Sequence, residues 1–487
     1  MGKILGHLKP EAIWRHFEDM CAIPHPSKHE EAMREFVINF AKKHNLEYEV
    51  DAVGNVVIRK PATKGMENRM GVILQGHLDM VPQANSDTKH DFEKDPIKPR
   101  IEGEWVKATG TTLGADNGIG VSTALAVLES TDLAHGPIEA LFTIDEETGM
   151  TGAFGLKPGF LKGDILMNLD SEDEGELFIG CAGGTNGSFT FEYKDVDTPK
   201  SVKAFKLSIT GLKGGHSGCD IHLYRGNANK ILFRYLKHAE TKHGLRLASV
   251  SGGTLRNAIP REAFAVFVVP TAAANDIPKC VADMYEIIRK EYATVEPDFK
   301  MEVVETDLPA KLIDEKTQKN LINAIVACPN DVIRMSNDMP GLVETSTNLA
   351  IVKSENGIVE VKCLLRSSVD SAKEALEQMF AALFELAGAK YTFDGQYPGW
   401  KPNPHSPILE VMKAGYEKQF GKVPKISAIH AGLECGLIGG VFPNLDMISF
   451  GPTIRNPHSP DEMCNIATVE KFWDYLVETL KNVPVKK

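Results

Sequence analysis

MGVILQGHLDM, residues 70–80, begins as an apolar run and ends on a histidine and an aspartate with one residue between them. The run Met70–Leu74 predicts a buried β-strand that leads into Gly76-His77-Leu78-Asp79. If the backbone stays extended there, side chains alternate, so His77 and Asp79 project to the same side. Asp79 can then hold one imidazole nitrogen while the other binds a metal ion. A lone histidine after a strand would read as structural, and the aspartate two positions on makes the pair suggestive.

Outward from this stretch the same texture repeats. Helices are predicted at Glu11–Met20, Glu30–Lys43 and Gly118–Glu129, and strands at Ile138–Ile144 and Asp164–Asn168. Strand, helix, strand is the order of an α/β layered sheet. After residue 184 two-period strands take over, such as Ala204–Thr210 and Ile358–Leu365. Helices at Asn227–Glu240, Ile277–Lys290, Leu312–Ala327 and Ala372–Leu386 separate them. These are two strand-helix sets of an α+β insert, two halves packed as one sheet. The chain then returns to a helix (Pro407–Phe420), a strand (Leu445–Phe450) and a last helix (Thr468–Leu480). The expected architecture is therefore α/β: a discontinuous domain, 1–184 and 396–487, with a mixed sheet flanked by helices, interrupted by an α+β domain, 185–395.

Composition narrows the function classes. The 487 residues carry 54 Lys+Arg against 66 Asp+Glu, a formal charge of −12. Nucleic acid and anionic membranes reward clustered Lys and Arg, and no such cluster is visible, so a small substrate fits better. The first twenty residues lack the apolar run of a signal peptide, and no segment approaches the ~20 unbroken apolar residues of a membrane span. Eight scattered cysteines form no C-x-x-C pair. The expectation is a reducing cytoplasm and mostly buried thiols.

Four more places past strand ends or at a helix start carry polar chemistry, where open α/β sheets bind their ligands. Gly110–Gly120, GTTLGADNGIG, opens a helix and holds Asp116. It fits no phosphate-loop pattern, and an N-cap with glycine turns is an equal reading. Asp145-Glu146-Glu147 follows a strand, and carboxylates bunched there repel one another unless a cation neutralises them. Asn168-Leu169-Asp170 ends another strand. Asn-Pro-His-Ser-Pro occurs twice, at 403–407 and 456–460. In the first copy Ser406 and Pro407 read as the cap and first residue of a helix. The second follows a strand of the same domain as the other sites, which favours His458. The set joins His77 and His458 to Asp116, Glu146, Glu147 and Asp170, an oxygen-rich group suited to zinc, manganese or cobalt in a two-metal site. One of the paired glutamates is left over as a general base, and spacing does not say which. No H-E-x-x-H occurs, and Gly215-His216-Ser217-Gly218 does not match G-x-S-x-G.

Assembled in order, GHLDMV (76–81), TTLGADNGIG (111–120), DEETGMTGA (145–153), NLDSE (168–172), GLKGGHSG (211–218), GGTLRNAIPRE (252–262), HAGLECG (430–436) and NPHSPDE (456–462) resemble the M20 family of co-catalytic metallopeptidases, in particular its aminoacyl-histidine dipeptidase branch. The resemblance covers nearly the whole chain. It implies His77 and Asp170 on one metal, Glu147 and His458 on the other, and Asp116 bridging. It further implies Glu146 as general base and Asp79 as the residue orienting His77. The interrupting domain would be a lid, with His216 delivered to the oxyanion and Asn257 and Arg366 holding the substrate's carboxylate end. The implied activity is hydrolysis of unblocked dipeptides, Xaa-His among them, in a cytoplasmic enzyme that forms a homodimer through the lid. A deacylase acting on N-acylated amino acids and a non-catalytic binding protein on the same fold are the alternatives.

Overall fold

In the computed structural model, which describes residues 4–486, the strand Val72–His77 is buried along its whole length. It lies between Ile138–Thr143 and Ile165–Asn168, parallel to both, and Asp446–Ser449 continues the parallel set beyond Ile165–Asn168. Strands covered on both faces need no alternation, which is why these segments read as unbroken apolar runs. Glu47–Val50 and Val56–Lys60 extend the sheet antiparallel on one side, and Glu176–Cys181 and Lys425–Ile429 complete its eight strands on the other. The first strand runs three residues further than the apolar run predicts and includes His77. Gln75 is tolerated in the buried strand because its amide donates to Glu434 and Thr143 and accepts from Asn168.

Contacts divide the chain into two units: Met1–Gly180 with Pro402–Ala428 and Leu433–Lys487, and Cys181–Lys401 with Ile429–Gly432. In the first, the helix Ala115–Glu129 is buried on almost every side. Glu11–Cys21 packs on it through Trp14, Phe17 and Met20, and Gly118 makes room for the Phe17 ring, which a Cβ there would meet at 2.9 Å. A second, four-stranded sheet of short pieces, Pro99–Glu102, Trp105–Ala108, Ile454–Arg455 and Met463–Asn465, was not foreseen.

The second unit is built on one nine-stranded sheet. Its path runs Lys300–Thr306, Val202–Thr210, Ala263–Pro270, Arg246–Gly252, Val343–Glu355, Ile358–Ser367, Gly183–Glu192, Lys390–Tyr397, with Asp331–Met335 paired to Val343–Glu355. Helices Ala228–His243, Ile277–Glu291, Glu315–Ala327 and Asp370–Leu386 contribute to a single core with this sheet, in which Phe189 stacks on Phe384 at 3.9 Å between ring centroids. The two predicted strand-helix sets are thus halves of one sheet. Six of the eight cysteines are buried; Cys219 is exposed and Cys280 partly so. Among the described residues no helix is long and apolar enough to cross a membrane.

Candidate active site

Parallel alignment brings the carboxyl ends of four neighbouring strands to one edge of the first unit, and the polar residues sit there. His77 is the last residue of its strand. Asp145 leaves Ile138–Thr143 in a left-handed conformation (φ 52°), turning the chain so that Glu146 and Glu147 start a short helix. Asp170 follows Ile165–Asn168, and His458 (φ 60°) sits further on than Asp446–Ser449, in the loop between Ile454–Arg455 and Met463–Asn465.

Asp116 is the centre of the arrangement. Its Oδ1 lies 3.1 Å from His77 Nε2 and its Oδ2 3.3 Å from His458 Nε2. His77 Nε2 is also 3.4 Å from Asp170 Oδ1, and His458 Nε2 is 2.9 Å from Glu147 Oε2. Two groups able to hold a cation result, His77–Asp116–Asp170 and Asp116–Glu147–His458, with Asp116 common to both. A third combination, His77 with Glu146 and Glu147, places Glu146 beside them.

Asp79 ties the surroundings together. Its Oδ1 lies 3.3 Å from His77 Nδ1 and accepts the Glu146 N–H at 3.0 Å. Its Oδ2 accepts the Glu147 N–H at 3.2 Å and the Ser27 hydroxyl at 2.8 Å. Burial pushes the Asp79 carboxyl up, but His77 and these donors outweigh it and hold it at about 2. The neighbouring acids go the other way. Burial, reinforced by Asp116 and Glu434, lifts Asp170 to about 7 against the pull of His77. Burial raises Glu146 well above the carboxylate range; His77 opposes it, while Asp170, Glu434 and Glu147 add to it. Hydrogen bonds to Asp116 and Glu147 lift His458 to about 11.

These are the marks of a site that fits divalent cations. Glu147 Oε1 and Asp170 Oδ1 are buried without a hydrogen-bond partner, the 3.4 Å approach of His77 to Asp170 lacking hydrogen-bond geometry. The donors are imidazole nitrogens and carboxylate oxygens with no thiolate among them, a set that suits zinc, manganese or cobalt.

Sequence reasoning missed three supports. Glu462, 2% exposed, accepts the backbone N–H groups of Leu113, Gly114, Ala115 and Asp116, so a carboxylate rather than a phosphate occupies the start of the Ala115–Glu129 helix and fixes Asp116. Its place in the NPHSPDE stretch was the only local signal. Asn117, next to Asp116, is held by Leu169 O at 2.7 Å in a slot left by Gly76 and Gly120, where added Cβ atoms would come within 2.2 Å and 2.7 Å of its amide. Glu434 accepts from Gln75 and Thr143, burial lifts it to about 7, and its charge adds to what raises Glu146. The earlier Asn-Pro-His-Ser-Pro copy is a helix start: Ser406 Oγ accepts the Leu409 N–H at 3.1 Å and Pro407 opens the helix.

His216, Asn257 and Arg366 lie in the second unit. His216 pairs with Ala258 in a two-residue ladder, which sets Asn257 next to it. His216 Nδ1 accepts the N–H groups of Gly218 (3.2 Å) and Cys219 (3.0 Å), so its proton resides on Nε2. Burial and then the Arg366 cation lower its pKa and keep the ring neutral. Arg366 is 4% exposed; its Nη1 donates to the Tyr397 hydroxyl at 3.0 Å and its Nε has no partner.

The comparisons with known proteins agree with one another. Over 99% of both chains the protein is 48% identical to the cytosol non-specific dipeptidase of Escherichia coli (strain K12). The crystal structure of aminoacylhistidine dipeptidase from Vibrio alginolyticus superposes with a TM-score of 0.95 at 49% identity, covering 100% of this chain and 99% of that one. Aminopeptidase PepT from Bacillus cereus shares the fold at 16% identity and a TM-score of 0.58, over 98% and 99% of the two chains. Residues 73–482 match the model of peptidase family M20/M25/M40, a span that holds all ten residues singled out above, and the chain belongs to that family.

Proposed function

We propose that this chain hydrolyses unblocked dipeptides, including those with C-terminal histidine, with the aid of two divalent cations. The observation that carries the reading is the pair of ligand groups joined at Asp116, with Glu146 beside them and needed by neither. The names of the E. coli and Vibrio relatives support it.

His77 and Asp170 would hold one ion, Glu147 and His458 the other, and Asp116 both. Bound there, the ions supply Lewis acidity to the scissile carbonyl and make the attacking water more acidic. Glu146 takes a proton from that water on a carboxylate oxygen and returns it to the leaving amine. Asp79 anchors the His77 ring and the backbone of Glu146 and Glu147 through one carboxylate. His216 donates from Nε2 to the carbonyl oxygen as it becomes anionic. Arg366 and Asn257 bind the substrate's α-carboxylate, the guanidinium offering a planar pair of donors. A homodimer formed through the second unit and a cytoplasmic location belong to the same reading, and sedimentation and cell fractionation check them.

A substrate panel tests it. Ala-His should turn over, with N-acetyl-Ala-His and Ala-Ala-His at least tenfold slower; preference for the acetylated substrate would replace the dipeptidase reading with a deacylase.

A further inference from the structure

We infer that the second unit carries a separate binding site for a borderline-soft divalent cation such as Zn²⁺, formed by His238, His243 and Cys280. His238 and His243 lie in the last two turns of the helix Ala228–His243, and Cys280 lies in the first turn of Ile277–Glu291. One ligand atom from each of the three falls within 4.8 Å of the others. Metal bonds of ~2.0–2.3 Å put tetrahedral ligand atoms roughly 3.3–3.8 Å apart, so small side-chain rotations complete the set.

Three further features favour a cation there. The residues line a cavity of about 370 Å³ that also receives Asp276, which supplies negative charge and a carboxylate for a fourth position. The one cation in the lining, Lys279, is already paired with Asp283. The Tyr235 hydroxyl, one turn before His238 on the same helix, is buried without a hydrogen-bond partner among the described residues. With two imidazoles and one thiolate the donor set is softer than the all-oxygen-and-nitrogen set of the catalytic unit, so the two sites differ in cation preference. A bound ion joins the end of one helix to the start of the next and braces the second unit.

Cobalt(II) separates the sites by spectrum, because only a thiolate ligand produces a near-ultraviolet sulfur-to-cobalt charge-transfer band. Metal-free, reduced full-length protein titrated with Co²⁺ should bind a third equivalent as that band grows. Cys280→Ser should lose the band and one equivalent, His238→Ala with His243→Ala should lose the same equivalent, and Ala-His turnover at saturating Co²⁺ should stay unchanged in both. Absence of the band in the wild type, or a band that survives Cys280→Ser and disappears in Cys219→Ser, would overturn the site while leaving the dipeptidase reading untouched.

Discussion

Asp79 and Glu146 sit one hydrogen bond apart and do opposite work. Asp79 is held ionised at about 2 because it accepts from everything around it, whereas Glu146 is pushed up because burial and other acids surround it. Substituting each therefore has a different signature. Glu146→Gln keeps the backbone N–H that Asp79 accepts, so bound metal should stay at two equivalents while kcat falls by about 10²–10⁴-fold. Metal analysis alongside kcat checks this, and a metal-loaded variant with near-normal turnover would remove Glu146 from the proton transfers. Asp79→Asn puts an amide nitrogen against donors and frees the His77 ring. Metal affinity should drop by about 10–100-fold, measured by competition with a chromogenic chelator. An unchanged affinity would mean that His77 is oriented by the backbone carbonyl of Asp79, 3.0 Å from Nδ1, and not by its side chain.

At the scale of elements, two glycines divide by what surrounds them. Gly76 lies within a buried strand, and a Cβ there would stand 2.2 Å from Asn117 Oδ1, the residue beside Asp116. Gly76→Ala should lower stability by about 1–3 kcal/mol and weaken metal binding as well, because the slot for Asn117 closes. Gly415 is inside the helix Pro407–Phe420, and a Cβ would meet only the Tyr475 ring, at 3.9 Å. Gly415→Ala should raise stability by about 0.5–1 kcal/mol. Urea unfolding of both variants reads the contrast in sign. The same division explains what was legible beforehand. Pro407–Phe420 has the bounds the sequence predicts because its ends are fixed locally, by the Ser406 cap and by Gly421 in the left-handed region at φ 70°. Val72–His77 was cut short because Gln75, Gly76 and His77 look like a loop until their partners Glu434, Asn117 and Asp116 are brought in from far along the chain. The pieces of the four-stranded sheet are too short to show a period and exist only through pairing across the chain.

At the scale of the whole molecule, the acid surplus of −12 is unevenly spread. The candidate ligands were recognisable from their positions after strands or at a helix start, but Glu172, Glu434 and Glu462 were not singled out, since what matters is how closely folding packs them around the site. Burial, reinforced by neighbouring acids, lifts Glu172 to about 8 and Glu434 and Glu462 to about 7, alongside Asp170 at about 7. An acid whose folded pKa lies above its unfolded value binds more protons in the folded state between the two values, so unfolding free energy falls as pH rises through that window. His458, raised to about 11, acts in the same direction above its unfolded value near 6.5. Asp79 acts oppositely as pH falls below about 4, and the histidines whose pKa burial lowers, His216 and His430 among them, do so below their unfolded value near 6.5. In protein stripped with a chelator, the melting temperature should therefore decline steadily from about pH 6.5 to pH 8, where these histidines are neutral in both states. Restoring divalent cations neutralises the same carboxylates and should flatten that decline, with the largest stabilisation at pH 8. A metal-free protein whose melting temperature rises over this range, or a cation effect of equal size at pH 5 and pH 8, would mean that these carboxylates are not the groups the cations neutralise.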